Sequence, residues 1–286
     1  MKKLLFASIL FFTIAFLAAC ESEEEDKLAK LQDEGKVTIG FANEKPYAYE
    51  ENGELKGAAV DIAKAVFAEL GVDEVDSELL EFGQLISGLN AGQFDVITAG
   101  MAIKPDRCEN VAFGEPEMMY GEGLIVQHGN PLNLESYEDI ASNPDAIVAV
   151  MQGATENDFL KDAGVDESQI LSVPDIPASI AAVQSGRADA TTGTEMTIKE
   201  ALASADTDEL LFVETFEQPD VEGVPSYGAA AFSLEDEELV KAYNEVLADL
   251  KADGTVAELL EKNGFSEQMN MVPEDITTEK VCNGEV

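Results

Sequence analysis

Histidine and positive charge are what this sequence has least of. Its 286 residues include one histidine, His128, and 17 lysines and arginines against 58 aspartates and glutamates, a formal net charge of −41. A single histidine excludes a histidine-dependent triad and a multi-histidine zinc site. Its polar QHGNP setting makes His128 a surface residue. The glycines are dispersed through turns, so neither a phosphate-binding P-loop nor a dinucleotide fingerprint is present. A polyanion of this size repels nucleic-acid phosphate, which rules against DNA or RNA as a partner. Beyond residue 20 no apolar run is long enough to cross a bilayer. Carboxylates are plentiful, yet nothing singles out a general acid–base pair from a solvated surface. The expectation is a protein with no catalytic set, cofactor or metal.

The one long apolar run is at the start. In MKKLLFASILFFTIAFLAAC, Lys2 and Lys3 precede an apolar core and a small-residue site ending in Cys20. Residues 1–19 read as a leader that is removed. A cysteine at that point resembles a bacterial lipobox, with lipid on the Cys20 sulfur; the other reading is an ordinary signal peptide that contains a cysteine. Residues 20–30 then form an acidic tether, and the mature chain sits outside the cytoplasm on a membrane surface. Acidic residues are spread over all the expected helices. That pattern suits a halophile, where salt screens self-repulsion. Cys108 and Cys282 remain. An even pair in an oxidising compartment points to a disulfide, with two free thiols as the alternative.

The body of the chain alternates strand and helix, the pattern of parallel sheets covered on both faces. Lys36–Phe41 is a β-type segment ending in an Asn-Glu-Lys-Pro turn. Residues 57–70 form a helix whose Ala59, Ala63, Val66, Phe67 and Leu70 share a face before Gly71. Leu85–Asn90 is helical, and residues 94–100 form a buried strand. The stretch ISGLNAGQFDVITAG at 86–100 is echoed by IAAVQSGRADATTGT at 180–194: helix, glycine turn, aspartate (Asp95, Asp189), then a strand ending in small residues. Two α/β lobes follow from the echo, with lobe 1 at 31–120 and 225–286, lobe 2 at 121–224, and hinge crossings near 119–123 and 220–226. Ser233 is expected to cap a long helix, and Thr255 with Glu258 to form a capping box opening a last short one.

In open parallel sheets ligands bind beyond the carboxyl ends of strands. There the chain places Arg107, whose planar fork suits a carboxylate; the other reading pairs it with Asp106 or Glu109. Gly100 and Ala102 offer backbone that a ligand can approach. Glu44 can accept from a positive group, and Tyr47 and Phe82 can hold a cationic ring by its faces. Across the cleft, Gly153, Ala154 and Thr155 open a helix whose N–H groups favour anions. Thr155, Asn157 and Thr194 are the candidate contacts of the second lobe.

At these residues the chain resembles the solute-binding lipoproteins and periplasmic proteins of ABC importers, polar amino-acid class. The resemblance implies a two-lobed type II periplasmic-binding-protein fold with its ligand cleft between the lobes. In that class Arg107 takes the ligand carboxylate, Phe82 and Tyr47 form aromatic walls, and Glu44 is the acid of the first-lobe loop. Most amino-acid binders carry an aspartate for the α-ammonium where this chain has Thr194, and a hydroxyl where it has Ala102. The segments GFANEKPYAY, EFGQLISGLNAGQFDVITAGM and IKPDRC are most similar to the ectoine and hydroxyectoine-binding branch, which has a further aromatic at the position of Ala102. The implied protein is a monomer that carries a small zwitterion to a permease and its ATPase. It would be lipid-anchored on the outer face of the cell membrane, or on the periplasmic side where an outer membrane exists. An amino-acid binder is the alternative, and the same fold also hosts cyclohexadienyl-type dehydratases.

Overall fold

A computed structural model describes residues 26–286 of the chain; the leader, Cys20 and the first residues of the tether lie outside the described residues. Helix Lys27–Glu34 opens where the Asp26 carboxylate accepts from the Leu28 and Ala29 N–H groups, and it ends at left-handed Gly35. Lys36–Phe41 follows, with Val37, Ile39 and Phe41 at most 1% exposed.

Two sheets organise everything else. The first runs Glu74–Leu79, Lys36–Phe41, Val96–Ala102, Ser226–Phe232 and Ala112–Phe113, with Met118–Tyr120 also paired to Ser226–Phe232. The second runs Ile170–Val173, Val148–Met151, Ala190–Thr194, Glu122–Gln127 and Leu210–Phe212. Each has three parallel strands followed by an antiparallel one, Ser226–Phe232 in the first and Glu122–Gln127 in the second. Both are covered on both faces, which is why Val96–Ala102 and Ser226–Phe232 are buried at every position. Phe67, Phe232 and Tyr243 meet edge to face, at 5.7 and 5.1 Å between centroids, over one face of the first sheet. Burying a side chain such as Phe67 contributes about 2–3 kcal/mol.

The internal echo has a physical basis. Asp95 and Asp189 each precede a central strand, and each Oδ2 accepts a neighbouring backbone N–H, that of Thr38 and of Ile147, both at 2.8 Å. Helix Leu85–Asn90 and helix Ile176–Gln184 precede these braces, as the sequence pattern requires. The chain passes from the first sheet to the second between Tyr120 and Glu122, and returns ahead of Ser226.

Two helix starts differ from expectation. Helix Glu237–Ala252 is capped at Asp236, not Ser233. Residues 233–236 close a turn first, Asp236 N–H to Ser233 O at 3.1 Å, so the helix begins a turn later. Helix Thr255–Lys262 has left-handed Gly254 at its cap, and the Asp253 carboxylate, not Thr255, takes an end N–H. Nor is it the last helix: Glu267–Asn270 and Thr278–Cys282 follow. Cys282 forms a disulfide with Cys108, Cα atoms 5.9 Å apart, which ties the C-terminal segment to helix Pro105–Cys108. Among the described residues no helix is long and apolar enough to cross a membrane.

Candidate functional site

Arg107 owes its position to the end of strand Val96–Ala102 and to Pro105, whose fixed φ starts a single helical turn. Arg107 is 8% exposed. Nη1 donates to Ala102 O at 2.8 Å, and Nη2 donates to Gly153 O of the second lobe at 2.9 Å. The Phe82 ring lies 5.5 Å from Cζ. Neither Asp106 nor Glu109 pairs with Arg107; Asp106 lies 3.7 Å from Lys104 instead. Burial lowers the Arg107 pKa, with Tyr120, Asp106 and Glu156 opposing it. A guanidinium nonetheless keeps its charge. The local ion-pair reading therefore fails, and the remaining N–H groups are directed by two carbonyls, one from each lobe.

Glu44 is set by a tight loop. Its N–H and carbonyl both bond to Ala48, at 2.7 and 3.0 Å, and Asn43 before it has a positive φ of 54°. Its Oε1 accepts from the Thr197 hydroxyl of the second lobe at 2.7 Å, and Thr194 Oγ1 donates to Thr197 Oγ1 at 3.0 Å. Burial pushes the Glu44 carboxyl up to about 7; Glu156 adds to this, while Thr197 and Arg107 oppose it. Thr194 thus joins the relay that anchors Glu44.

The remaining expected residues divide. Phe82, 9% exposed, faces the Arg107 guanidinium. Tyr47 is 1% exposed and packs edge-on against Tyr120 and Phe265 at 5.3 and 5.2 Å. Gly100 makes room for it: a Cβ there would stand 2.4 Å from Tyr47 Cδ1. Tyr47 therefore presents its edge and its hydroxyl, not an open face; the hydroxyl is buried near Thr194 but has no well-formed partner. The Gly100 carbonyl accepts from the Tyr120 hydroxyl at 2.6 Å and the Ala102 carbonyl from Arg107, so both carbonyls orient protein groups. Thr155 is buried and donates to Glu156 Oε2 at 3.4 Å. Asn157 is half-buried, and no side-chain hydrogen bond joins it to the others.

Sequence reasoning missed Tyr120, Glu122, Glu156 and Thr197. Glu122 and Glu156 are 1% and 3% exposed. The available signal was an acid between two glycines in GEGLIV, at the entrance to an otherwise apolar strand. Burial pushes the Glu122 carboxyl up strongly, and Glu156 and Glu44 push it further. The result is a buried cluster between the two sheets that gathers the Arg107 guanidinium, the carboxyls Glu44, Glu122 and Glu156, and the rings of Tyr47, Phe82 and Tyr120. It suits a small molecule that carries both a carboxylate and a positive or N–H-rich group.

The lobes meet across this cluster. Besides Arg107 to Gly153 and Thr197 to Glu44, Lys104 pairs with Asp158 at 2.5 Å. Backbone meets backbone at Gly83, whose Cα would be 2.6 Å from a Cβ on Gly153. A cavity of about 370 Å³ opens beside Glu44, lined from the other lobe by Ile176, Pro177 and Thr197.

Two such lobes, crossed twice by the chain and closing charged groups between them, define an extracytoplasmic solute-binding protein of the type II class. Residues 37–266 match the family of bacterial extracellular solute-binding proteins, family 3, and the chain belongs to it. It is 35% identical over 282 residues to a probable amino-acid ABC transporter periplasmic-binding protein of Sinorhizobium fredii, covering 97% of this chain and 91% of that one. Among solved structures it resembles EhuB in complex with hydroxyectoine, with 36% identity and a TM-score of 0.82 over 90% of this chain and 98% of the other. It also resembles a mutant of ArgBP from T. maritima, with 26% identity and a TM-score of 0.70 over 82% and 97%. The chain is therefore a binding component of an amino-acid-type ABC importer, which delivers a small ligand to a permease and its ATPase, and not an enzyme.

Proposed function

We propose that this protein captures a small cyclic zwitterion of the ectoine and 5-hydroxyectoine type. The observation that carries the reading is Arg107: a buried guanidinium that pairs with no carboxylate among the described residues, facing Glu44 with no aspartate at Thr194 to hold an α-ammonium. The ligand carboxylate is assigned to Arg107 and its delocalised amidinium to Glu44. Phe82, Tyr47 and Tyr120 supply apolar walls, Tyr120 being the ring that offsets the missing aromatic at Ala102. The likeness to EhuB supports this assignment. Closure selects the ligand because Arg107 and Glu44 each bond to both lobes only when the lobes meet. Lipid anchoring through Cys20 and an acidic surface adapted to salt belong to the same proposal.

A second reading has its own support. Three carboxyls against one guanidinium favour a ligand with an extra positive charge, and ArgBP is among the similar structures. Calorimetry with ectoine, 5-hydroxyectoine, glycine betaine, arginine and other α-amino acids separates the two. Tightest binding of an ectoine is the expected result; tightest binding of arginine would replace the first reading with the second.

A further inference from the structure

Glu122 has no task in the assignment above. It begins strand Glu122–Gln127 at the point where the chain enters the second lobe, and its side chain is 1% exposed. Both of its carboxyl oxygens are buried without a donor among the described residues. Another buried carboxyl, Glu156, is placed to accept a hydrogen bond from a protonated Glu122. Glu156, 3% exposed, heads helix Glu156–Asp162 and among the described residues receives only the Thr155 hydroxyl, at 3.4 Å.

The groups facing Glu122 come from every element around it. Glu44, Tyr47 and Tyr120 reach it from the first lobe. Tyr137 approaches from helix Tyr137–Ser142, but its hydroxyl is engaged by Thr192 at 2.6 Å. Arg107 neighbours Tyr120 and Glu156 but spends two N–H groups on carbonyls. Among the described residues no lysine or arginine donates a hydrogen bond to either carboxyl, and the Arg107 charge acts on Glu156 only through space. Burial and the neighbouring Glu156 and Glu44 carboxyls disfavour the charged form of Glu122, so Glu122 keeps its proton when no ligand is bound.

Glu117 is the useful contrast. It is equally buried, yet its Oε1 accepts from the Tyr243 hydroxyl at 2.7 Å and Lys251 lies nearby. A carboxyl kept for structure has a donor; Glu122 has none, and it faces the cleft.

We propose that Glu122 and Glu156 form a proton-exchanging cation receptor, the second lobe's contact for the positive part of the ligand. Without ligand the Glu122 O–H donates to Glu156. On capture that O–H bond breaks, the proton passes to solvent, and a ligand N–H takes its place between the two carboxylates. One proton leaves for each ligand bound, and the ligand keeps its own charge. The inference rests on the reading that the ligand carries a positive or amidinium-like group, and it holds for ectoine and arginine alike. Because the ligand binds ionised Glu122, affinity rises with pH by up to about tenfold per unit while Glu122 is protonated.

The test is calorimetry on the full chain at about pH 8, where Glu44 is already ionised, in two buffers of different ionisation enthalpy. Ectoine and arginine are the probes. The expected result is release of about one proton per ligand in the wild type, persisting in Glu44→Gln even where that variant binds more weakly. Release should vanish in Glu122→Gln, with affinity reduced about tenfold or more. If Glu122→Gln fails to fold, infrared difference spectra of the wild type decide: a protonated-carboxyl band must be present without ligand and lost on binding. Release with arginine and no binding of ectoine overturns the ectoine assignment and supports the carboxyl pair. Ectoine binding without proton release overturns the pair and leaves the ligand assignment intact. Binding of neither probe overturns both.

Discussion

The two lobes are built alike and finished differently. Each has a helix, a glycine turn, and an aspartate that braces the first parallel strand, Asp95 to Thr38 and Asp189 to Ile147 at the same 2.8 Å. They diverge at the ends of the central strands. In the first lobe the chain runs past Ala102 into one helical turn that aims Arg107 at the cleft. In the second, Thr194 leads directly into helix Glu195–Ala205, and the charged groups at the cleft are Glu122 and Glu156 from other elements. The repeated part is the scaffold, and the unrepeated part carries the charge. Fold and ligand chemistry are therefore separable in this chain, and substitutions should sort accordingly.

The largest effect is expected at Arg107. Arg107→Ala leaves the ligand carboxylate buried without its partner, which costs about 3–5 kcal/mol. Affinity should fall by roughly two to four orders of magnitude, measured by calorimetry, with the melting temperature of the ligand-free protein little changed. Ligand affinity within a few-fold of wild type would remove Arg107 from the site.

Next is a carboxyl of the first lobe that faces no ligand. Burial pushes Glu117 up to about 7, against 4.5 as its ordinary value. The folded state then holds a proton that the unfolded state has released between these values, so stability falls as pH rises from about 4.5 to about 7. Glu117 accounts for about 3 kcal/mol of that fall at 1.36 kcal/mol per unit. Glu117→Gln should flatten the slope of denaturant-derived stability against pH without changing ligand affinity. An unaltered slope would show that Tyr243 and Lys251 already compensate the charge.

The scaffold was largely legible in the sequence, because its signals are local. Small residues after Asp95 and Asp189, glycines at Gly92 and Gly186, and apolar periodicity in 57–70 are each enough to place an element. Arg107 was legible for a related reason: scarce positive charge at a strand end is conspicuous. Glu122 and Glu156 were not, because among 58 acids composition cannot reveal which two are buried. Tyr47 was misjudged as an open ring face, since its partners Tyr120 and Phe265 are remote in sequence. Ser233 failed as a cap because residues 233–236 close a turn before the helix starts, and Thr255 because the Asp253 carboxylate takes the end N–H instead.

The braces test the likeness directly. Asp95→Ala and Asp189→Ala each free one backbone N–H, that of Thr38 or of Ile147, and each should cost about 1–3 kcal/mol. Matching losses in chemical denaturation are expected. Asp95 also pairs with Lys27 at 2.6 Å, but an ion pair this near the surface adds at most about 1 kcal/mol. A loss at one site alone would mean that the repeat is one of shape and not of energetics.

The smallest effect concerns the surface tie between the lobes. Lys104 and Asp158 are 19% and 51% exposed, so their attraction is screened and worth about 0.2–1 kcal/mol. Lys104 belongs to the first lobe and Asp158 to the second, and the bond exists only where the lobes meet. Lys104→Met should therefore leave the stability of each lobe almost unchanged and act on opening instead. In stopped-flow measurements ligand release should quicken by about two- to fivefold, while the association rate stays near wild type. Added salt should erase the difference between variant and wild type, because screening removes the pair from both. A release rate that is unchanged at low salt would mean that Arg107 to Gly153 and Thr197 to Glu44 alone hold the closed form, leaving the buried contacts as the whole of the latch.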